Sequence, residues 1–126
     1  MKPTRQDRGR RARQEGRRAE WIAAGWLLLR GWRIVAFRYR TRLGEIDIVA
    51  RRDDVLAIIE VKRRRTVAEA LEAVKPQQRR RLLAAGQQLA GQHPAWRQLS
   101  LRLDLIALAP GRLPRHIENA WPDQGA

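Results

Sequence analysis

The chain has 126 residues, 44% of them hydrophobic, and carries 27 Lys or Arg against 13 Asp or Glu, a net charge of +14. That length makes one domain around one ordinary core, and the apolar fraction excludes wholesale disorder. The absence of cysteine removes disulfides, thiolate zinc sites, iron–sulfur clusters and cysteine nucleophiles together.

A basic surplus of this size points to a polyanionic partner, most simply nucleic acid, with acidic lipid the weaker candidate. Residues 1–18 hold eight bases and two acids and almost nothing apolar. They read as a basic arm, flexible or helical only on binding, with Arg10 and Arg11 among its phosphate contacts. A solubilising terminus is the plainer reading of the same composition. Over 20–30 the run Trp-Ile-Ala-Ala-Gly-Trp-Leu-Leu-Leu, stopped by Gly31, predicts a helix. Basic residues ahead of nine apolar ones also have the look of a secretion leader. No small-residue cleavage site follows, however, and Arg30, Arg33, Arg38 and Arg40 punctuate the next segment. The run is too short to span a bilayer. A buried helix in a cytoplasmic protein fits better.

Three strands are expected over 32–39, 45–51 and 55–62, the last two joined as an antiparallel hairpin by the Asp-bearing loop around Asp53. A short helix over 68–74 is interrupted at Pro76, and a longer one over 77–92 ends at His93-Pro94. A strand over 99–109, closed by Pro110-Gly111, and a short segment ending near Trp121 complete the chain. The order α-β-β-β-α-β is that of an α/β domain with a mixed central sheet flanked by helices, over 19–122, with 123–126 as a tail.

Alternation along 45–51 places Glu45, Asp47 and Val49 on one face and Ile46 and Ile48 on the other. Along 55–62, Glu60 and Lys62 share a face with Leu56 and Ile58. Three hairpin registers are open. A two-residue Asp53-Asp54 loop sets Asp47 opposite Glu60 and Glu45 opposite Lys62. A loop of Arg52-Asp53 sets Glu45 opposite Glu60, and a three-residue loop separates the two sets. Carboxylates facing each other across strands repel, and a cation is the simplest remedy. With two histidines in the chain, any metal would be held mainly by oxygen, which favours Mg2+ or Mn2+. Asp47, Glu60 and the main-chain carbonyl of Val61 make a suitable half-shell. Such a cation would offset charge developing at a phosphorus centre, while Lys62 steers the attacking water. The plain alternative is a Glu45–Lys62 cross-strand ion pair, worth under ~1 kcal/mol.

The spacing Asp47, twelve residues, Glu60, one apolar residue, Lys62 resembles the motif of the restriction-endonuclease-like nuclease superfamily, written PD-(D/E)xK. More narrowly, the chain resembles the YraN-type family of uncharacterised bacterial proteins, itself held similar to archaeal Holliday-junction resolvases. The marks are Gly16-Arg-Arg-Ala-Glu20, Gly44-Glu-Ile-Asp-Ile-Val-Ala50, Ile59-Glu-Val-Lys62 and Arg102-Leu-Asp-Leu105, within about residues 16–121.

That resemblance implies a restriction-endonuclease-like core, a metal at Asp47 and Glu60, a catalytic Lys62 and Glu20 as a further carboxylate from the first helix. The implied activity is metal-dependent hydrolysis of DNA phosphodiester bonds, on branched or flapped DNA. The family usually has a lysine where Gln78 stands here; Gln78 would meet the scissile phosphate as a neutral donor. Arg63, Arg64 and Arg65 after the motif, with Arg79 and Arg80, are expected at phosphates. DNA rather than RNA is the expected partner, with a homodimer as the expected assembly. The alternatives are a non-catalytic nucleic-acid-binding protein on the same scaffold and a small basic protein of ribosomes or membrane surfaces. Asp104 reads as a structural partner for a nearby arginine, and Trp21, Trp26 and Trp32 as core.

Overall fold

The computed structural model describes residues 4–122, with side chains at residue 4 and from residue 17 onward. Helix α1 (Arg5–Leu29) leads into a meander of β1 (Arg33–Thr41), β2 (Gly44–Arg52) and β3 (Val55–Arg63). Helices α2 (Val67–Ala73) and α3 (Pro76–Gln92), then a 3-10 turn at 94–96, return the chain to β4 (Ser100–Leu108) and a short β5 (Arg115–Ile117). The sheet order is β1-β2-β3-β4-β5, antiparallel throughout except for the parallel pair β3–β4. This is the expected mixed α/β architecture, with the expected separation of the two helices at Pro76 and with a fifth short strand where the last segment was expected.

The divisions have local causes. Thr66 caps α2 by accepting a hydrogen bond from the Glu69 N–H at 3.1 Å. Pro76 opens α3 at its first turn and forces Lys75 into an extended conformation, which separates the two helices. At the end of α1, Gly31 adopts φ 87°, its N–H bonding to Leu28 and that of Trp32 to Leu27. These are the two bonds of a Schellman stop.

Parallel strands need a crossover, and α2 with α3 supplies it. These helices cover one face of the sheet, burying Ile58, Val74, Leu82, Leu89, Leu103 and Leu105. The other face lies under α1, where Ala19, Ala23, Ala24 and Leu27 meet Trp32, Ile48, Ile59 and Ile106. Only one stripe of α1 can press on the sheet, because a helix repeats every 3.6 residues. The expectation that Trp21 and Trp26 are core is therefore corrected. Trp21 is 67% exposed, with its ring 5.1 Å from Phe37, and Trp26 is half-buried. Trp32 is the one of the three in the core, at 3% exposure.

Helix α1 starts well before residue 20 and so takes in positions 5–18 of the expected arm. The side chains of Arg10 and Arg11 lie outside the described residues, as does the tail at 123–126. Asp104 behaves as expected. Fully buried on β4, it accepts both prongs of Arg102 (2.8 and 2.9 Å), the Asn119 N–H (2.9 Å) and a contact from His116 Nε2 at 2.8 Å. Burial alone would raise its pKa, but the bonds from His116, Arg102 and Asn119 outweigh burial and hold it below the usual range. The carboxylate thereby ties β5 and the residues after it to the sheet.

Candidate functional site

The β2–β3 hairpin turns on Asp53-Asp54, pairing Arg52 with Val55 and continuing to Ile48 with Ile59. Of the three registers open to the sequence, this is the one that sets Asp47 opposite Glu60. The ladder stops there. On the β1 side the pairs Phe37–Ile48 and Tyr39–Ile46 leave Arg38 and Asp47 between them, and Arg38 has φ 54°. Strict alternation fails at this point, so Ile46 and Ile48 do not share a face as expected. Ile46 packs toward α3 and Ile48 toward α1.

The break is what builds the site. Instead of a ladder bond, the Val61 N–H donates to Asp47 Oδ2 at 2.8 Å. In a strand the N–H and C=O of one residue point to the same edge, so the Val61 carbonyl faces the opening where pairing with β2 has ended. Glu60 is 5% exposed, with Lys62 Nζ at 3.2 Å from its Oε1 and Gln78 Nε2 donating to the same oxygen at 3.3 Å. Glu20, buried on α1, receives the Arg38 Nε–H.

Burial pushes the Asp47 carboxyl up to about 7; the Glu60 charge adds to the rise and the Val61 N–H opposes it. Burial also raises Glu60, against the pull of Lys62. A buried Glu60 and a half-buried Asp47 that resist joint ionisation beside an inward-facing carbonyl suit a hard dication, which would take the place of the retained proton. The donor set is all oxygen, and the residues present fit Mg2+ or Mn2+ as a half-shell. Among the described residues no group of three or more acidic or histidine side chains stands at metal-holding spacing. The remaining ligands would come from water and substrate. Glu20 lies within electrostatic reach of both acids, but Arg38 engages it.

Other expected residues fall into place unevenly. Glu45 does not pair with Lys62; it is exposed and meets Arg40 at 3.3 Å across β1 and β2. Arg63, Arg64 and Arg65 are exposed where β3 ends, and Arg80 is exposed on α3. Arg79 is used by the fold: its Nε donates to the Val74 carbonyl at 2.9 Å, and its guanidinium lies 5.3 Å from the Trp121 ring. Arg38 was not singled out from the sequence. An arginine inside a run of β-formers, on the strand preceding the acidic motif, was the available signal.

The profile of the uncharacterised protein family UPF0102 matches residues 19–108. A UPF0102 protein of Caulobacter vibrioides (strain NA1000 / CB15N) is 57% identical over 117 residues, covering 93% of this chain and 94% of that protein. Another, of Caulobacter sp. (strain K31), is 55% identical, covering 95% and 86% of the two chains. A third, of Chelativorans sp. (strain BNC1), is 50% identical over 88% of this chain and 90% of its own length. The chain belongs to the UPF0102 (YraN-type) family.

Proposed function

We propose that this UPF0102-family protein is a divalent-metal-dependent endonuclease that hydrolyses DNA phosphodiester bonds, with branched or flapped DNA as its substrate class. The observation that carries the reading is the break in β2 pairing. It gathers Asp47, Glu60 and the Val61 carbonyl beside Lys62, inside a chain of net charge +14. Clustered acids give no advantage to a surface that only needs to hold phosphates.

Mg2+ or Mn2+ held by Asp47, Glu60 and the Val61 carbonyl would supply charge neutralisation at the phosphate and Lewis acidity toward water. The chain's own residues do the rest. Lys62 stands against Glu60, where its ammonium can orient the attacking water and donate to a phosphate oxygen as charge builds. Gln78 holds Glu60 in place through a neutral donor and so leaves the carboxylate's charge available. The exposed Arg63, Arg64, Arg65 and Arg80 bind flanking phosphates. One such centre cuts one strand, so paired cuts would use a homodimer. No helix among the described residues is long and apolar enough to cross a membrane, and we place the protein in the cytoplasm, with its DNA.

A second reading, a non-catalytic DNA-binding protein on this fold, draws on Glu60 already being satisfied by Lys62 and Gln78. Labelled duplex, flap, single-stranded and four-way DNA, incubated with Mn2+ or Mg2+ and with chelator, separates the two. Cutting that depends on the metal supports the nuclease; retention of DNA with no cutting under any metal supports the second reading.

A further inference from the structure

The sheet face under the C-terminal end of α1 holds a second cluster of charged and aromatic groups that the carboxylate site does not use. Trp32 is its centre. The Arg52 guanidinium lies 4.5 Å from its ring and that of Arg102 5.5 Å, while His116 meets it edge-on at 5.7 Å. Trp32 is only 3% exposed, yet its indole Nε1 has no acceptor, alone in this among buried side-chain atoms of the described residues. An indole N–H can only donate, and a buried donor without an acceptor is costly enough to be rare.

A cavity of about 410 Å3 opens at this residue, lined by Trp26, Arg30, Trp32, Arg52, Arg115 and His116. That volume is within the roughly 300–1,000 Å3 of small-ligand sites, more than a bare oxyanion needs. Its charge is lopsided: three arginines face one acid, Glu118. Glu118 is already met by Arg52 at 3.4 Å and Arg102 at 3.5 Å, whereas Arg30 and Arg115 have no ion-pair partner among the described residues. The end of a helix would ordinarily repel an anion. Here Arg52 Nη1 donates to the Arg30 carbonyl at 3.1 Å and covers that end. Arg30 lies over the Trp26 ring at 4.5 Å, and a stacked guanidinium keeps its N–H edge free for oxygen. Arg52 stands five positions beyond Asp47 along β2, about 17 Å at strand rise, so the cavity is distinct from the carboxylate site.

We propose that this cavity binds a nucleoside monophosphate, either free or as the 5′-phosphorylated end of a strand, with its phosphate among Arg30, Arg52 and Arg115 and the Trp32 ring beside it. The nucleoside lies against Trp26 and the apolar wall of Leu113 and Pro114. The site stands whether or not the carboxylate centre cuts DNA.

The test follows the indole N–H signals of 15N-labelled full-length protein carrying Asp47→Ala, without metal, so that no turnover intervenes. The Trp32 signal is identified by its loss in Trp32→Phe. The probes are dAMP, deoxyadenosine, inorganic phosphate, and a short single strand with and without a 5′-phosphate. The Trp32 signal should shift saturably with dAMP or with the phosphorylated strand, and whichever binds tighter identifies the source. Deoxyadenosine, phosphate and the unphosphorylated strand should bind at least about tenfold more weakly, as should the best probe to Arg30→Ala and Arg115→Ala. Both arginines are exposed, so these variants keep the fold. No shift with either phosphorylated probe, equal binding of the unphosphorylated strand, or undiminished affinity in both arginine variants would overturn the proposal.

Discussion

Lys62 is a half-buried lysine 3.2 Å from an acid, in a protein whose other bases are nearly all arginine. Lysine is a compact charge that can adjust to a reacting water; arginine is a planar fork of the same charge. Lys62→Arg should therefore cut the single-turnover rate at saturating metal by one to several orders of magnitude, at about 1.4 kcal/mol per tenfold, while DNA affinity changes little. A fully active variant would leave Lys62 as a plain ion-pair partner. Asp47 gives a second readout. Its folded pKa of about 7 lies above the ordinary 3.8, so the metal-free folded state keeps a proton that the unfolded chain has lost. That contribution to stability is complete below the unfolded value and is lost as pH rises through about 7. The melting temperature without metal should fall between roughly pH 4 and 7 and level off above. Mg2+ or Mn2+ should restore it, and Asp47→Asn should flatten the curve and abolish the metal effect. A wild-type slope in Asp47→Asn would show that another group titrates. Asp47, Glu60 and Lys62 were legible in the sequence because a short hairpin relates them by local counting. Arg38 and the Trp32 cluster were not, since their contacts join residues 18 to 84 positions apart through packing that local spacing does not encode.

Elements bear out the pattern of the chain where one face is buried and depart from it where pairing is irregular. The α2–α3 break was readable at Pro76, and the parallel β3–β4 pair follows from the crossover those helices make. The break in β2 was not readable, because alternation predicts a flat ladder and the side chain of Asp47 takes a main-chain N–H in its place. The outward apolar residues of α1 misled for another reason. A run apolar on all sides looks buried, but a helix on one face of a sheet covers one stripe. Close helix packing gives a separate test. A Cβ on Gly86 of α3 would stand 2.6 Å from Ile58 Cγ1 and 2.9 Å from its Cδ1, on a fully buried, branched residue. Gly86→Ala should destabilise the fold by about 1–3 kcal/mol in urea melts despite alanine's better helix propensity. Pairing it with Ile58→Val should cost less than the sum of the two changes. Strict additivity would mean that the helix shifts freely on the sheet. At the start of α1, the first described buried residue is Ala19. Removal of residues 1–15 should leave the melting temperature nearly unchanged while it lowers the salt dependence of DNA binding, by about 0.9 in slope for each phosphate that those bases neutralise. An unchanged slope would reduce that segment to a solubilising one.

Across the molecule, charge and chemistry are arranged at different ranges. On the proposed function, the surplus of +14 would draw DNA from a distance and is screened within about 10 Å at 0.1 M salt, so binding should weaken steeply as salt rises. The carboxylate centre works the other way. Its acids would repel phosphate until a dication neutralised them, so the ion proposed for the chemistry should also strengthen the proposed hold on DNA at that point. Exposed arginines follow Lys62 directly at the end of β3, and Arg80 stands two positions after Gln78 on α3, close in sequence to the two residues that meet Glu60. The most direct test of the metal centre is cleavage of labelled four-way and flap DNA in Mn2+ by wild type, Asp47→Ala and Glu60→Gln, each shown to be folded by its melting curve. Wild type should cut and both variants should not; cutting by either variant at the wild-type rate would contradict the assignment of the metal centre.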